Sequence, residues 1–204
     1  MLLQLFPPTI FASTEANISN LDIDYVQSAM ISSRTVVLKE GYTKALVNSV
    51  DIVMTNPAVR QNQITFVPIE NISVLMGADV TYDGITLTVQ IGNQKVTMQI
   101  GSPYLIKEAE DQPPVTMDLR DIAGLDEPIQ VINDVPYAPV RAMMEILDCY
   151  VQWFIIPDAS NVNEFFTVIT MSEISIDEAR DLAKKGQKKL TDSYIPTDGI
   201  SIDR

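Results

Sequence analysis

Chemistry in this chain would have to come mainly from carboxylates, because the sequence contains no histidine. Histidine is the usual general base near neutral pH and the commonest transition-metal ligand. Its absence excludes a Ser-His-Asp triad, a Cys-His dyad and a histidine-based zinc or copper site. Carboxylate pairs, lysine or tyrosine chemistry and a calcium site built from oxygen ligands stay open.

Acidic residues form two groups whose spacing would allow carboxylate pairs. The groups are Asp118, Asp121 and Asp126, and then Asp198 and Asp203. Acids in loops are usually solvated, however, and the stretch TDGISID at 197–203 lacks the full ligand set of a calcium-binding loop. We therefore predict no catalytic residue, no cofactor-binding residue and no metal site, and we predict that the chain is not an enzyme.

The composition is that of a chain that folds around a core. Of the 204 residues, 46 % are hydrophobic and 20 % are charged, which is ordinary for a globular protein. The formal net charge is −13, so phosphate backbones and anionic membrane surfaces repel the chain. No apolar run reaches the length of about 18 residues that a spanning helix needs. Nucleic acid and a membrane span are therefore not expected.

The elements that must position any site are built from a pattern that occurs twice. The stretch FVPIENISVLMGADVTY at 66–82 is followed 71 residues later by YAPVRAMMEILDCYVQW at 137–153. In the first copy, Pro68 suits the first turn of a short helix, Gly77 suits its C-terminal cap, and a strand follows. In the second copy Asp148 replaces Gly77, so we expect the second helix to end by a different cap. Matched apolar positions at a constant offset indicate a duplicated supersecondary unit.

The offset also bears on three side chains in the second copy. Cys149, the single cysteine, falls on the small residue Ala78, so we predict a buried, unreactive thiol. Tyr150 and Trp153 could bind carbohydrate if both were exposed. Trp153 corresponds to Tyr82, at a position that should pack on the helix, so the pattern favours a core role for Trp153.

Strand signals surround both copies. Residues 85–100 alternate apolar and polar side chains around a Gly-Asn turn, which predicts an antiparallel hairpin. The stretch TVVL at 35–38 predicts a strand, and KALVNSVDIVM at 44–54 predicts two strands around a turn. A helix is predicted over 175–190, with a capping box at its start.

These signals predict an α+β fold, in which antiparallel β-sheets wrap short helices in two tandem copies of a β-β-α-β-β unit. The predicted divisions are a signal-peptide remnant at 1–16, an N-terminal extension at 17–42, a first repeat at 43–101, a second repeat with insertions at 102–172, and a C-terminal helix and tail at 173–204.

The FVPIE and MGADVTYD motifs, followed by the TLTVQIGN hairpin, resemble the copper amine oxidase N-terminal domain-like family, also called stalk domains of bacterial surface proteins. YAPVR with YVQW is a degraded second match. In copper amine oxidases the copper belongs to a different, catalytic domain and is held by three histidines, which this chain lacks. The resemblance implies a small α+β unit, export, and a spacer, adhesion or assembly role.

Export is also indicated by the apolar start MLLQLFPPTIFA, which is typical of a secretory signal, with Thr14 and Ala16 before a cleavage point. An apolar first strand or a docked terminus is the alternative. The function predicted from the sequence is an exported, non-catalytic structural or interaction module of a bacterial cell-surface or extracellular assembly, acting through protein–protein contacts or self-assembly. In that hypothesis the TVVL strand and the C-terminal tail pair with the sheet edge of a neighbouring copy. The alternative is a module that binds cell-wall polysaccharide or another carbohydrate.

Overall fold

The structure is a computed structural model that describes residues 33–123 and 129–190. The predicted signal segment at 1–16, most of the predicted N-terminal extension and the predicted C-terminal tail lie outside the described residues.

Short hairpins dominate residues 33–100. Its elements are β1 (Thr35–Lys39), β2 (Lys44–Val47), β3 (Val50–Val53), β4 (Val59–Gln61), β5 (Ile64–Pro68), α1 (Ile69–Met76), β6 (Asp79–Tyr82), β7 (Thr86–Ile91) and β8 (Gln94–Gln99). The predicted turn between β2 and β3 is confirmed: Asn48 and Ser49 have φ of 49° and 68°, the left-handed pair that a tight hairpin requires.

The same alternation of hairpins and short helices continues to the end of the described chain. The elements are β9 (Tyr104–Ala109), β10 (Val115–Asp118), α2 (Leu119–Ala123), β11 (Gln130–Ile132), β12 (Val135–Pro139), α3 (Val140–Ile146), β13 (Tyr150–Pro157), β14 (Asn163–Thr170) and α4 (Ile176–Leu190). The two predicted β-β-α-β-β units are β4-β5-α1-β6-β7 and β11-β12-α3-β13-β14, so the predicted fold class is confirmed.

The described strands form three antiparallel sheets. Sheet I has the order β13-β14-β1-β2-β3, sheet II has the order β10-β9-β8-β7-β6, and sheet III has the order β11-β12-β5-β4. The closing strands of each unit thus pair with a three-stranded meander that lies outside that unit. For the first unit this meander follows in sequence, whereas for the second unit it is β1-β2-β3 from the other end of the described chain. Strands from the two ends of the described chain, β1 and β14, are therefore neighbours in sheet I.

This topology overturns one expectation about β1. The TVVL strand does not lie free to pair with a neighbouring molecule, because it is paired on both sides within its own chain, with β14 and with β2. Its three central residues are fully or almost fully buried. The division of the chain into domains stays a prediction, since strand pairing alone does not show where an independently folding unit begins.

The two units are related by an approximate twofold axis through sheet III. In the pairing of β5 with β12, Val67 lies opposite Ala138, and Phe66 lies opposite Pro139. Val67 and Ala138 are themselves separated by the 71-residue offset of the repeat. A residue that pairs with its own repeat equivalent in an antiparallel ladder lies on the axis that exchanges the two copies.

Both repeat helices start directly after a proline, and a left-handed residue lies at or just beyond the C-cap of each. Pro68 and Pro139 occupy the N-cap positions of α1 and α3, without a side-chain capping bond. Gly77 ends α1 with φ of 67°. The expectation of a different cap for α3 is confirmed, because its C-cap is Leu147, with φ of −86°. Asp148, the repeat equivalent of Gly77, follows this cap with φ of 59°. Aspartate is one of the few residues other than glycine that tolerates this region.

Helices α1 and α3 fill the space between the sheets. Ile72, Leu75, Met143 and Ile146 are buried on their inward faces and belong to one continuous apolar core with residues of all three sheets. Helix α4 lies on the opposite face of sheet I, where a second cluster includes Val37, Phe166, Val168, Ala179 and Ala183. Its capping box is confirmed, since Ser175 and Glu178 exchange hydrogen bonds between side chain and main chain. Sheet I is thus covered on both faces, at least in part.

Candidate functional site

The predicted carboxylate pairs do not form where the structure describes them. Asp118 is bound by Arg120, whose Nη2 lies 2.6 Å from Oδ2, and Arg120 Nη2 also donates to the Tyr104 hydroxyl. The hydrogen bond from the Arg120 side chain lowers the pKa of Asp118, so this carboxyl stays ionised and serves as a structural ion-pair partner. Asp121 is exposed. Within residues 33–123 and 129–190 no group of three or more histidine, cysteine, aspartate or glutamate side chains could hold a metal ion.

The remaining predicted acids, Asp126, Asp198 and Asp203, and the stretch at 197–203 lie outside the described residues. Cys149, in contrast, is where the repeat placed it. It is buried, and burial raises the pKa of its thiol to about 11, so the group stays protonated at neutral pH. The predicted burial of this thiol is confirmed, and its low reactivity stays a prediction.

The two aromatic candidates do not share a surface. Tyr150 and Trp153 lie three residues apart in β13, and successive side chains of a strand point to opposite faces, so these two rings face opposite sides of sheet I. The expectation that Trp153 packs on the helix is wrong, because 52 % of it is exposed. Its ring contacts the guanidinium of Arg60 from the β4–β5 hairpin, at 5.6 Å from the ring centroid.

Trp153 lines the most distinctive concave surface of the described chain. This groove, which we call the Trp153 groove, lies between sheet I, the β4–β5 hairpin and helix α3, and it has a volume of about 510 Å³. Its lining includes the charged or aromatic side chains of Glu40, Arg60, Arg141, Glu145, Trp153 and Phe165. Asn62 and Gln63, at the tip of the hairpin, complete one wall.

Arg60 and Glu40 supply opposite hydrogen-bonding capacities in this groove. The Arg60 guanidinium lies 4.4 Å from the centroid of the Phe165 ring, and it makes no hydrogen bond to another described residue. Glu40 Oε2 accepts none from the described residues either. Burial raises the pKa of Glu40, and the charge of Arg60 opposes that rise. The guanidinium of Arg60, a hydrogen-bond donor, and the carboxylate of Glu40, an acceptor, therefore line the same groove as the rings of Trp153 and Phe165.

A second groove occupies the equivalent place in the other unit. This Tyr82 groove has a volume of about 460 Å³ and lies between sheet II, the β11–β12 hairpin and helix α1. The residues that line both grooves at the 71-residue offset are Val80 and Val151, Tyr82 and Trp153, Glu70 and Arg141, Asp134 and Gln63, Val135 and Ile64, and Pro136 and Thr65. The fold thus builds the same concavity twice, while the arginines lie only in the first of these two linings.

The edge strands of the two units differ in length and in charge. β13 has eight residues, YVQWFIIP, none of them charged. Its repeat equivalent β6 has four residues, DVTY, and includes Asp79. The outer strands β3 and β10 also have four residues each, and they carry Asp51 and Asp118. Among the described strands at the edges of sheets I and II, β13 is therefore the long and uncharged one.

Both repeats match one protein family. Residues 9–91 and residues 47–155 each match the model of the copper amine oxidase N-terminal domain. The chain belongs to this family. The copper amine oxidase N-terminal domain is a non-catalytic domain. No curated protein and no solved structure matches the chain.

The family name raises the question of copper, and these residues do not fit that metal. The chain has no histidine, its single thiol is buried and protonated, and the described acids form no cluster. No helix in the described part of this copper amine oxidase N-terminal domain protein is long and apolar enough to cross a membrane. What distinguishes the chain is the second unit, with its long edge strand and its arginine-containing groove. Sequence reasoning missed Arg60, because this residue belongs to the first unit and contacts Trp153 of the second unit only in the folded chain.

Proposed function

We propose that this protein is a non-catalytic interaction module of an exported bacterial assembly, at the cell surface or outside the cell, and that it acts through protein–protein contacts at β13. The family is a non-catalytic domain, which supports the first part of the proposal. The exposed edge strand β13 of the second unit supports the other part of the proposal, which is the protein–protein contact.

The observation that carries the proposal is the character of β13 as an edge strand. Proteins blunt exposed edges with short strands, charges or proline, because unpaired main-chain groups there recruit other strands. β3, β6 and β10 follow this rule, whereas β13 is eight residues long and lacks charge, with a proline only at its last position. Trp153 and Ile155 of β13 are about half exposed. Main-chain pairing and apolar contacts can therefore act together at this edge.

The occupant that fits this edge is the β13 strand of a second copy of the chain. Two identical strands can pair antiparallel across a twofold axis, so that each residue contact occurs twice. The pairing would join two copies of sheet I into one continuous sheet. Because the whole chain carries a net charge of −13, two copies repel each other at long range, and an uncharged strand is the segment where close approach costs least.

Sedimentation velocity over a range of protein concentrations tests this contact. We expect a monomer–dimer equilibrium, and we expect Ile155→Lys to weaken it about tenfold or more, because a lysine at an edge disfavours strand addition. The matched control is Val53→Lys on β3, the opposite edge of the same sheet, where the side chain is 69 % exposed. A native protein that stays monomeric, or an equal loss in both variants, would contradict the β13 contact.

Export is supported by the apolar segment MLLQLFPPTIFA and by the small residues Thr14 and Ala16 that follow it. Production in an export-competent bacterium tests this part. We expect the exported protein to begin at Asn17, as measured by intact mass. Retention of residues 1–16 in a protein that stays inside the cell would contradict it.

A second candidate function is the binding of cell-wall polysaccharide or another carbohydrate. One observation favours it: the half-exposed ring of Trp153 lies in a groove that also contains Arg60 and Glu40.

A further inference from the structure

The Trp153 groove has the chemistry of a site for a neutral ligand that both donates and accepts hydrogen bonds. The guanidinium of Arg60 is placed by the Phe165 ring at 4.4 Å, and stacking on a ring leaves the N–H groups at the edge of the guanidinium free to donate. Glu40 provides a carboxylate with an oxygen that accepts no hydrogen bond from the described residues. A hydroxyl group satisfies both partners, because it donates to a carboxylate and accepts from a guanidinium.

Charges in the groove are balanced. Arg60 and Arg141 are matched by Glu40 and Glu145, and Arg141 Nε lies 2.8 Å from Glu145 Oε1. A polyanion would meet these carboxylates and a chain of net charge −13, and a polycation would meet the two guanidinium groups. Neither class gains a net Coulombic attraction from the lining. A neutral ligand avoids both conflicts.

Aromatic faces complete the site. The Trp153 ring is half exposed at the rim. Trp153 pairs with Thr167 of β14, two residues from Phe165, so the rings of Trp153 and Phe165 lie on the same face of the sheet. The C–H face of a pyranose ring is apolar and its edge carries hydroxyl groups, so it matches an aromatic ring flanked by planar polar side chains. The volume of about 510 Å³ is in the range of small-molecule sites, roughly 300–1,000 Å³.

We propose that the Trp153 groove binds a neutral oligosaccharide, with a sugar ring on Trp153 and its hydroxyl groups bridging Arg60 and Glu40. This assignment rests on the second candidate function. It uses the face of β13 that carries Trp153, whereas the contact between copies uses the main-chain edge of that strand. The Tyr82 groove is a comparison site within the same molecule. Its charged lining residues, Glu70 and Asp134, are both acidic, so it lacks the donor fork and should not bind the same ligand.

Intrinsic fluorescence reports on the groove directly, because Trp153 is the single tryptophan of the chain. The probes are cellotetraose, maltotetraose and tetra-N-acetylchitotetraose, with tetragalacturonate and tetralysine as charged comparisons. We expect a saturable change in emission with one or more of the three neutral sugars, and a weaker response or none with the charged probes. No saturable response to any neutral sugar up to about 10 mM, a concentration that covers weak binding, would overturn the proposal. Tighter binding of tetralysine or tetragalacturonate would also overturn it.

Variants separate this site from a structural role of its residues. Arg60→Gln and Glu40→Gln should each weaken sugar binding about tenfold, the loss expected when one charged hydrogen-bond partner is removed. Tyr82→Phe in the comparison groove should leave the affinity unchanged, and all three proteins should show the native circular dichroism spectrum. If a glutamine variant unfolds, Arg60→Lys provides the second test, because lysine keeps the charge but loses the planar fork, and binding should still fall. Unchanged affinity in the folded arginine and glutamate variants would contradict the assignment. Tyr150→Lys, on the face of β13 opposite to Trp153, should weaken the β13 contact and bind sugar normally, so failure of that contact and failure of this site give different results.

Discussion

The most informative stability prediction concerns the ion pair beneath α4. Lys39 Nζ lies 2.5 Å from Glu164 Oε1, and the side chains are only 2 % and 13 % exposed. The two side chains form an ion pair, but their geometry is not that of a hydrogen bond, and Lys39 Nζ makes no hydrogen bond to a described residue. Its other close partner is the Tyr42 ring, whose centroid is 3.8 Å away, and Gln187 of α4 donates to the second oxygen of Glu164. Two charges thus lie in the contact between sheet I and α4.

Removing one partner should cost far more than removing both. Lys39→Met or Glu164→Leu alone leaves a buried charge without a counter-charge, and such changes cost about 3–5 kcal/mol. The double variant replaces the pair with apolar side chains and should be neutral or more stable, by up to about 4 kcal/mol. The difference between the summed single effects and the double effect measures the coupling of the pair.

Urea unfolding followed by circular dichroism measures these differences. A loss of 3–5 kcal/mol should lower the midpoint by roughly 1 to 2 M for a chain of this size. The control is the pair Lys95 and Glu108, which has nearly the same separation of 2.6 Å but side chains that are 35 % and 38 % exposed. Breaking it should cost about 0–1 kcal/mol. If the single variants at the buried pair cost no more than the exposed control, the charges are not desolvated and our reasoning about α4 is refuted.

Three further predictions concern single residues. Gly186→Ala should lower the free energy of unfolding, measured with urea, by about 1–3 kcal/mol, although alanine has the better helix propensity. The reason is that an added Cβ would lie 2.7 Å from Val37 Cγ1. Adding Val37→Ala should therefore restore much of the lost stability. Glu40→Gln should stabilise the protein at neutral pH, because a carboxyl whose pKa is raised in the folded state destabilises the fold as pH rises through that pKa. The gain in stability should vanish at pH values below the ordinary pKa of 4.5. Melting temperatures across pH test this, and a gain that grows in acid would contradict it. Cys149 should react with iodoacetamide roughly a hundredfold more slowly than a thiol of pKa 9.0, because its pKa of about 11 lowers the thiolate fraction. Labelling followed by mass spectrometry tests this. Rapid labelling of the native protein would contradict the prediction and show that the thiol is accessible.

Local structure was predictable because its causes lie within a few residues. The turn at Asn48 and Ser49, the end of α1 at Gly77 and the capping box of Ser175 and Glu178 each depend on near neighbours in sequence. The 71-residue offset even placed Cys149 correctly in the core. These features follow from turn chemistry and periodicity, which a single sequence displays.

Strand partners were not predictable in the same way. The apolar strand β1 and the alternating strand β8 could each complete either sheet by sequence, and only the three-dimensional closure of the fold assigns β1 to β14. Gly186 is a related case: in sequence it interrupts the apolar stripe of α4, whereas in the structure it is buried on that stripe and allows the helix to approach Val37 closely. Contacts between distant segments decide both features.

The candidate site was partly predictable. Trp153 was recognised as a possible binding residue, but its exposure was not expected, because the repeat equates it with Tyr82, which packs in part on the core. β13 is twice as long as β6, and the Trp153 groove opens beside it. Arg60 lies in the neighbouring unit and escapes any argument that compares the two copies one by one.

The central claim is that β13 is the contact surface of this protein, and amide hydrogen exchange tests it most directly. Exchange would be measured by mass spectrometry on dilute and concentrated protein. We predict that peptides covering β13 gain protection at high concentration, while peptides covering the opposite edge strand β3 do not change. Equal exchange of β13 at all concentrations, or protection that appears at β3 instead, would contradict the account.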